Sequence, residues 1–252
     1  MAYEFGSGSL WVIPTITLAG AAVTIPTPVP FGALQDISVD MSWTMKELFG
    51  QYQFALAAAR GTAKLTAKAK AAKITATLFN QVFGEPMTTP AENKVAFQEA
   101  QAVPAASPYT ISVTNQASWT TDLGVLYATN MLPMTRGATA TGIGVYSVAA
   151  GIYTFNSGDA AALLKISYIY TTTVAPGTKF TINNQLLGQS NFFSMTLNQV
   201  YQGKGLTMTF NRCVASKLAF ATKLEDFNIP EFDISMMADD ANIIGSISVY
   251  EF

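Results

Sequence analysis

The stretch from residue 191 to 252 constrains the fold most, because its apolar residues recur at every second position through several consecutive runs. Phe193, Met195, Leu197 and Tyr201 alternate with Ser194, Thr196 and Asn198; beyond Gly203-Lys204-Gly205, Leu206, Met208 and Phe210 alternate with Thr207, Thr209 and Asn211. A period of two belongs to a strand with one buried face, and two such runs around a glycine-rich turn predict a hairpin. Leu218, Phe220 and Leu224 continue the period. Phe232, Ile234 and Met236 alternate with Glu231, Asp233 and Ser235, and Ile243, Ile247 and Val249 with Ser246, Ser248 and Tyr250. Strands of this kind need a second layer to cover their apolar faces.

Upstream, residues 1–32 read as an arm. Gly6-Ser7-Gly8-Ser9 is flexible, residues 10–18 suit a strand, and Pro26, Pro28 and Pro30 impose an extended path. Such an arm lies on a neighbour or packs as a surface tail. Residues 34–43 alternate again, which predicts a strand with Ile37, Val39, Met41 and Trp43 buried. Residues 45–54 then carry apolar and aromatic side chains with no clean period, and Leu48, Phe49, Tyr52 and Phe54 there suit an interface better than a solvated loop. In 62–70, Thr62, Lys64, Thr66, Lys68 and Lys70 alternate with alanines and Leu65. Strand is the reading, with a helix from Ala63 as the competitor. Residues 74–83, with Leu78, Val82 and Phe83 at helical spacing and Gly84 as a stop, predict one short helix. Thr89-Pro90-Ala91-Glu92 fits a helix cap, yet Val95, Phe97 and Val103 fall on one strand face, and strand is preferred.

Residues 104–176 change character. Pro104 and Pro108 open the segment, Pro176-Gly177 closes it, and short alternating runs are separated by turn residues, which predicts a small inserted β-domain. The expected organisation is a mainly β chain. Residues 33–103 and 177–252 form an antiparallel β-sandwich or barrel core with one short α-helix, interrupted by the insertion.

Charged residues make up only 12% of the chain, about half the usual share. A surface so weakly charged suits a subunit covered by copies of itself. The charges that exist are segregated. Between residues 45 and 75 six bases oppose one acid, net +5, and from 204 to 251 four bases oppose seven acids, net −3. That split predicts contact across copies between the basic stretch, with Lys64, Lys68 and Lys70, and the acidic C-terminal stretch, with Glu231 and Asp233; the alternative is that the lysines face a lumen or bulk solvent. Lys46, Glu47, Leu48, Phe49, Tyr52 and Phe54 complete the predicted interface.

No histidine is present, which removes histidine-based nucleophile activation and histidine metal sites together. Glu225, Asp226, Glu231, Asp233, Asp239 and Asp240 are the carboxylates available for acid–base work, but Glu231 and Asp233 suit a polar sheet face and Asp239-Asp240-Ala241-Asn242 a plain turn. Gly203-Lys204-Gly205 lacks the flanking residues of a phosphate loop, and the lysines at 64–73 lack the interleaved aromatics of a nucleic-acid site. Cys213, the single cysteine, reads as a small buried hydrophobe. No enzymatic activity and no cofactor is expected. The first residues lack a secretion signal, and no apolar run reaches the length needed to cross a bilayer, so a protein made in a reducing cytoplasm is expected.

Two stretches resemble the tail tube (major tail) proteins of tailed bacteriophages. One runs from Phe31-Gly32-Ala33-Leu34-Gln35-Asp36 through Lys46-Glu47-Leu48-Phe49-Gly50-Gln51-Tyr52-Gln53-Phe54 to Ala72-Lys73-Ile74. The other runs from Tyr201-Gln202-Gly203-Lys204-Gly205-Leu206 through Phe227-Asn228-Ile229-Pro230-Glu231-Phe232-Asp233. The resemblance covers the outer two thirds of the chain. It implies a β-sandwich with one short helix whose hexameric rings stack into a DNA-conducting tube. The implied partners are the chain itself, other phage tail proteins and viral DNA in the lumen, with the virion as location and the host cytoplasm as the place of assembly. The alternative is a carbohydrate- or cell-surface-binding β-sandwich, for which exposed tryptophans among Trp11, Trp43 and Trp119 would be the sign.

Overall fold

The structure is a computed structural model and describes residues 6, 8–73, 75–85, 87–173, 177–222 and 224–250. In chain order the elements are β1 (Ser9–Ile16), β2 (Val29–Pro30), β3 (Leu34–Phe49), β4 (Ala55–Ala71), α1 (Ala76–Phe83), β5 (Met87–Thr88), β6 (Glu92–Ala102), β7 (Thr110–Ser112), β8 (Trp119–Tyr127), β9 (Thr135–Arg136) and β10 (Val145–Ala149). Then follow β11 (Ile152–Phe155), β12 (Leu163–Thr172), β13 (Lys179–Phe180), β14 (Phe192–Tyr201), β15 (Lys204–Ala219), β16 (Glu231–Met237) and β17 (Gly245–Tyr250). The chain is mainly β, and it divides into two units, Met1–Pro86 with Thr181–Phe252, and Met87–Phe180.

The first unit is one sheet in the order β2-β1-β14-β15-β16-β4-β3, with β17 also on β15. Its pairings are antiparallel throughout. Alternation in sequence becomes one buried face. Phe193, Met195 and Leu197 of β14, Phe232, Ile234 and Met236 of β16, and Leu65, Ala67, Ala69 and Ala71 of β4 point into a single core. Ile37 and Val39 of β3 share a groove with Leu197, Leu206 and Met208 of β14 and β15, so the sheet rolls over on itself and brings its β3 end back against its middle strands. Tyr201 pairs with Lys204 around Gln202 (φ 50°) and Gly203 (φ 81°), a tight two-residue turn of the left-handed kind that matches strand twist.

Helix α1 closes the roll. The Thr75 side chain accepts from the Leu78 amide, and Gly84, at φ 70°, ends the helix by donating its N–H to the Asn80 carbonyl at 2.7 Å. Leu78 and Val82 are buried in the core. Ile74, which the sequence placed in the helix, lies outside the described residues.

Four expectations are corrected. Residues 9–16 form the strand expected there but belong to the core sheet and not to a separate arm, since β1 pairs along its length with β14 and buries Leu10 and Val12. Met41 and Trp43 are exposed, because β3 has by then run past the core. Phe220 and Leu224 lie beyond the end of β15 and are exposed. The inserted unit begins well before Pro104, because β6 pairs with β12 from Glu92 to Ala102.

In that unit β12 lies between β6 and β8, and β7, β11, β10 and β9 form a second small sheet. Their inner faces share a core containing Tyr146, Tyr153, Phe155, Leu164, Ile166 and Tyr168. Where the chain enters and leaves, Met87 pairs with Phe180. In the first unit the Asn183 amide donates to the Glu85 carboxylate at 3.2 Å, which holds the flanking segments together as well. Deleting residues 87–180 across a short flexible linker is therefore expected to leave a cooperatively folded first unit by circular dichroism; loss of the transition would show that the two units fold only together.

Candidate interaction surface: a projecting hairpin

β16 covers β4 only from Leu65 to Lys70, so residues 55–64 have β3 as their sole strand partner among the described residues. At about 3.3 Å per residue the ribbon stands roughly 30 Å beyond the sheet. Every residue from 40 to 64 is exposed, on both faces. Met41, Trp43, Met45, Leu48 and Phe49 lie on β3, Tyr52 and Phe54 in the connection, and Leu56 on β4, all open to solvent. Register shifts between Trp43 and Met45 and between Leu48 and Phe49 mark bulges. The Arg60 guanidinium sits 4.7 Å over the Trp43 ring, and the Thr44 and Thr62 hydroxyls meet at 3.1 Å. The segment read as irregular from 45 to 49 is thus strand. Alanines at 55, 57, 58 and 59 face the bulky residues of β3 and leave them uncovered.

The predicted interface residues fall in two places. Lys46, Glu47, Leu48, Phe49, Tyr52 and Phe54 are on the arm. Lys68, Lys70, Glu231 and Asp233 are on the sheet itself, with Lys64 at the arm's root. Lys70 stands opposite Glu231 and Lys68 opposite Asp233 in the β4–β16 register. Lys70 pairs with Asp36 at 3.5 Å, and Lys217 reaches Glu231 and Asp233 at 3.7 Å each. Strand pairing thus sets Lys68 and Lys70 beside Asp233 and Glu231 within one chain, so their proximity needs no second copy, whereas Lys64 lies beyond the reach of β16. The contact with β16 is long-range, and nothing local in either stretch announces it.

The sequence also gave no sign of three carboxylate–tyrosine clusters in the inserted unit. Asp122 accepts from Tyr146 at 2.7 Å, Tyr153 at 2.9 Å and the Gly124 amide, with Arg136 at 3.8 Å. Asp159 accepts from Tyr127 at 2.6 Å and from the Gly144 amide. Glu99 accepts from Tyr168 at 2.6 Å, from Gln101, and from the Thr114 amide and hydroxyl. Burial opposes the Glu99 charge, but these donors outweigh it and hold the carboxyl below the usual range. Burial first, and then the accepting carboxylates, push the tyrosines up, Tyr127 to about 12. The phenols and carboxylates satisfy one another within the unit, so the clusters hold the small domain together.

A phenol whose pKa rises on folding ionises first in the unfolded chain. Its contribution to stability is complete below about pH 10 and is lost as pH rises from there through about 12. The inserted unit is expected to lose thermal stability across that window, with Tyr127→Phe reducing the dependence. A melting temperature that stays flat from pH 9 to 12 would remove the clusters from this role.

Among the described residues no group of acidic or cysteine side chains is arranged to hold a metal ion. Cys213 is buried, and its thiol is pushed up to about 12 by that burial. Among the described residues no helix is long and apolar enough to cross a membrane. No protein-family model matches the chain, and no curated protein matches it.

Proposed function

We propose that the chain is a structural subunit that assembles with copies of itself into stacked rings of a hollow tube, the role implied by its resemblance to phage tail tube proteins. The arm carries this reading. A lone two-stranded ribbon is marginal in water, and an apolar ribbon bare on both faces is a contact surface awaiting its partner. Neighbouring copies supply one. The outer edges of β3 and β17 pair with no strand among the described residues, and strands of adjacent copies added there close a barrel and remove those edges. Rings of six fit the resemblance, with other tail proteins at the tube ends and DNA passing through a lumen that does not grip its phosphates. Of the tryptophans to which the binding-module alternative looks, Trp11 and Trp119 are half-buried, and Trp43 is exposed on the arm with the Arg60 guanidinium over its ring.

Negative-stain imaging of the purified protein tests the reading. Rings or tubes are expected. A clean monomer at high concentration, with the arm intact, would overturn it.

A further inference from the structure

The two ends of β4 are unlike. At one end stands the arm, with its aromatic tip at Phe49, Tyr52 and Phe54. At the other, Leu34 pairs with Ala71, Glu231 with Lys70, and Ala219 with Glu231, so the start of β3, the end of β15 and the start of β16 come together there. Helix α1 follows from the same end of β4 after four residues. The 17 residues of β4 put roughly 55 Å between the two ends.

The end remote from the arm is also apolar and open. Phe79 and Phe83 of α1, Leu218 and Phe220 from the end of β15, and Ile182 line a groove of about 350 Å³ with the Glu85 carboxylate among them. Phe220 and Ile182 are exposed, although the groove floor is built on the core through Phe83, whose ring stacks on Phe232 at 6.4 Å. The loop from β15 to β16 adds Leu224 and Phe227, both almost wholly exposed, with Glu225 and Asp226 between them. A monomer gains nothing from leaving two apolar surfaces bare at opposite ends of one strand.

Their charges are opposite. Residues 41–64 carry Lys46, Arg60 and Lys64 against Glu47, net +2, whereas the groove and loop carry Glu85, Glu225 and Asp226 against Lys223, net −2. Oppositely charged ends repel their own kind and attract each other. A contact between two different surfaces of the same chain is also heterologous, so it propagates instead of closing on a pair.

We propose that the arm tip of one copy docks in the groove between α1 and the end of β15 of the next copy, joining copies head to tail along the strand axis. The proposal rests on the self-assembly reading above and adds to it the receiving surface and the polarity. The aromatic tip residues are the anchors, and Lys46 and Arg60 come to lie beside the acidic 225–226 pair.

The test uses the full chain in sedimentation velocity, with two variants placed on exposed positions. Phe220→Lys with Leu224→Lys spoils the groove and leaves the arm intact; Phe49→Ala with Tyr52→Ala spoils the tip and leaves the groove intact. Each alone is expected to need more than about 30-fold more protein than the parent to elongate, since about 30-fold is the size of a single lost interface anchor and each variant removes two. Mixed in equal amounts, they are expected to join once and stop, giving a discrete species built of both variants. If the groove variant elongates as the parent does, arms meet arms or another surface, and the docking is wrong while self-assembly stands. A parent that stays monomeric overturns both. A second measurement does not depend on loss of binding. Cys213 is buried, so Phe54→Cys with Phe220→Cys, treated with a short bismaleimide, is expected to give a covalent ladder from assembled protein. Dimers from Phe54→Cys alone, and no ladder, would contradict the proposal.

Discussion

Phe49→Ala with Tyr52→Ala is expected to abolish assembly at concentrations where the parent forms tubes, while leaving the protomer folded and its melting temperature within a degree or two. Both side chains stand on the arm, far from the core, with more than half of their surface exposed. Truncating them therefore leaves no cavity in the protomer, and the folded state loses little. In an interface the same rings are the kind of residue that dominates binding, worth about 2 kcal/mol or more each when fully desolvated. Two such losses multiplied over every contact in a tube remove it. The measurement is sedimentation combined with thermal unfolding. Tubes formed at the parental concentration, or a protomer that no longer folds, would each take the arm out of its assigned role.

Phe232→Ala is expected to do the reverse, lowering the stability of the first unit by about 3–5 kcal/mol and its melting temperature by about 10 °C. Phe232 is fully buried, meets Phe31 edge-on at 5.1 Å and stacks under Phe83 of α1 at 6.4 Å, so it joins β16, the segment before β3 and the helix. Against a total of about 5–15 kcal/mol the loss is large enough to leave part of the population unfolded. Assembly then fails for lack of folded subunits. Chemical denaturation separates this from the arm variant, since only Phe232→Ala shifts the midpoint. A shift under about 1 kcal/mol would mean that the helix and sheet do not depend on this ring.

What could be read from sequence follows burial. Phe193 to Leu197 and Phe232 to Met236 sit on strands with one face buried and one solvated, so the period of two survives in the residues. Gly84 was legible as the stop of α1 for a similar reason, because it acts within one turn of itself; the N-cap was not read, since the expected helix ran through Thr75. The arm was read only in part. A ribbon exposed on both faces has no reason to alternate, so Met45 to Phe49 looked irregular although the backbone is strand. The start of the inserted unit was missed because it is set by β6 pairing with β12, some 70 residues away, while Pro104 merely lies in the connection from β6 to β7 inside it. The pairing of Lys70 with Asp36, and its place opposite Glu231, has the same long-range origin. The groove beside α1 was invisible because Phe220 and Leu224 prolong the strand period past the strand's end.

The pairing of Met87 with Phe180 sets the two ends of the inserted unit about 5 Å apart. To the rest of the chain the insertion is then equivalent to a tight hairpin, whatever lies within it. Any guest whose own termini lie side by side can take its place without lengthening or straining the host, and the guest's sequence is free to drift or be exchanged wholesale. In an ordered array of subunits each copy would present that guest at a fixed repeat, which makes residues 87–180 the natural place for one lineage to differ from another and for a foreign domain to be displayed.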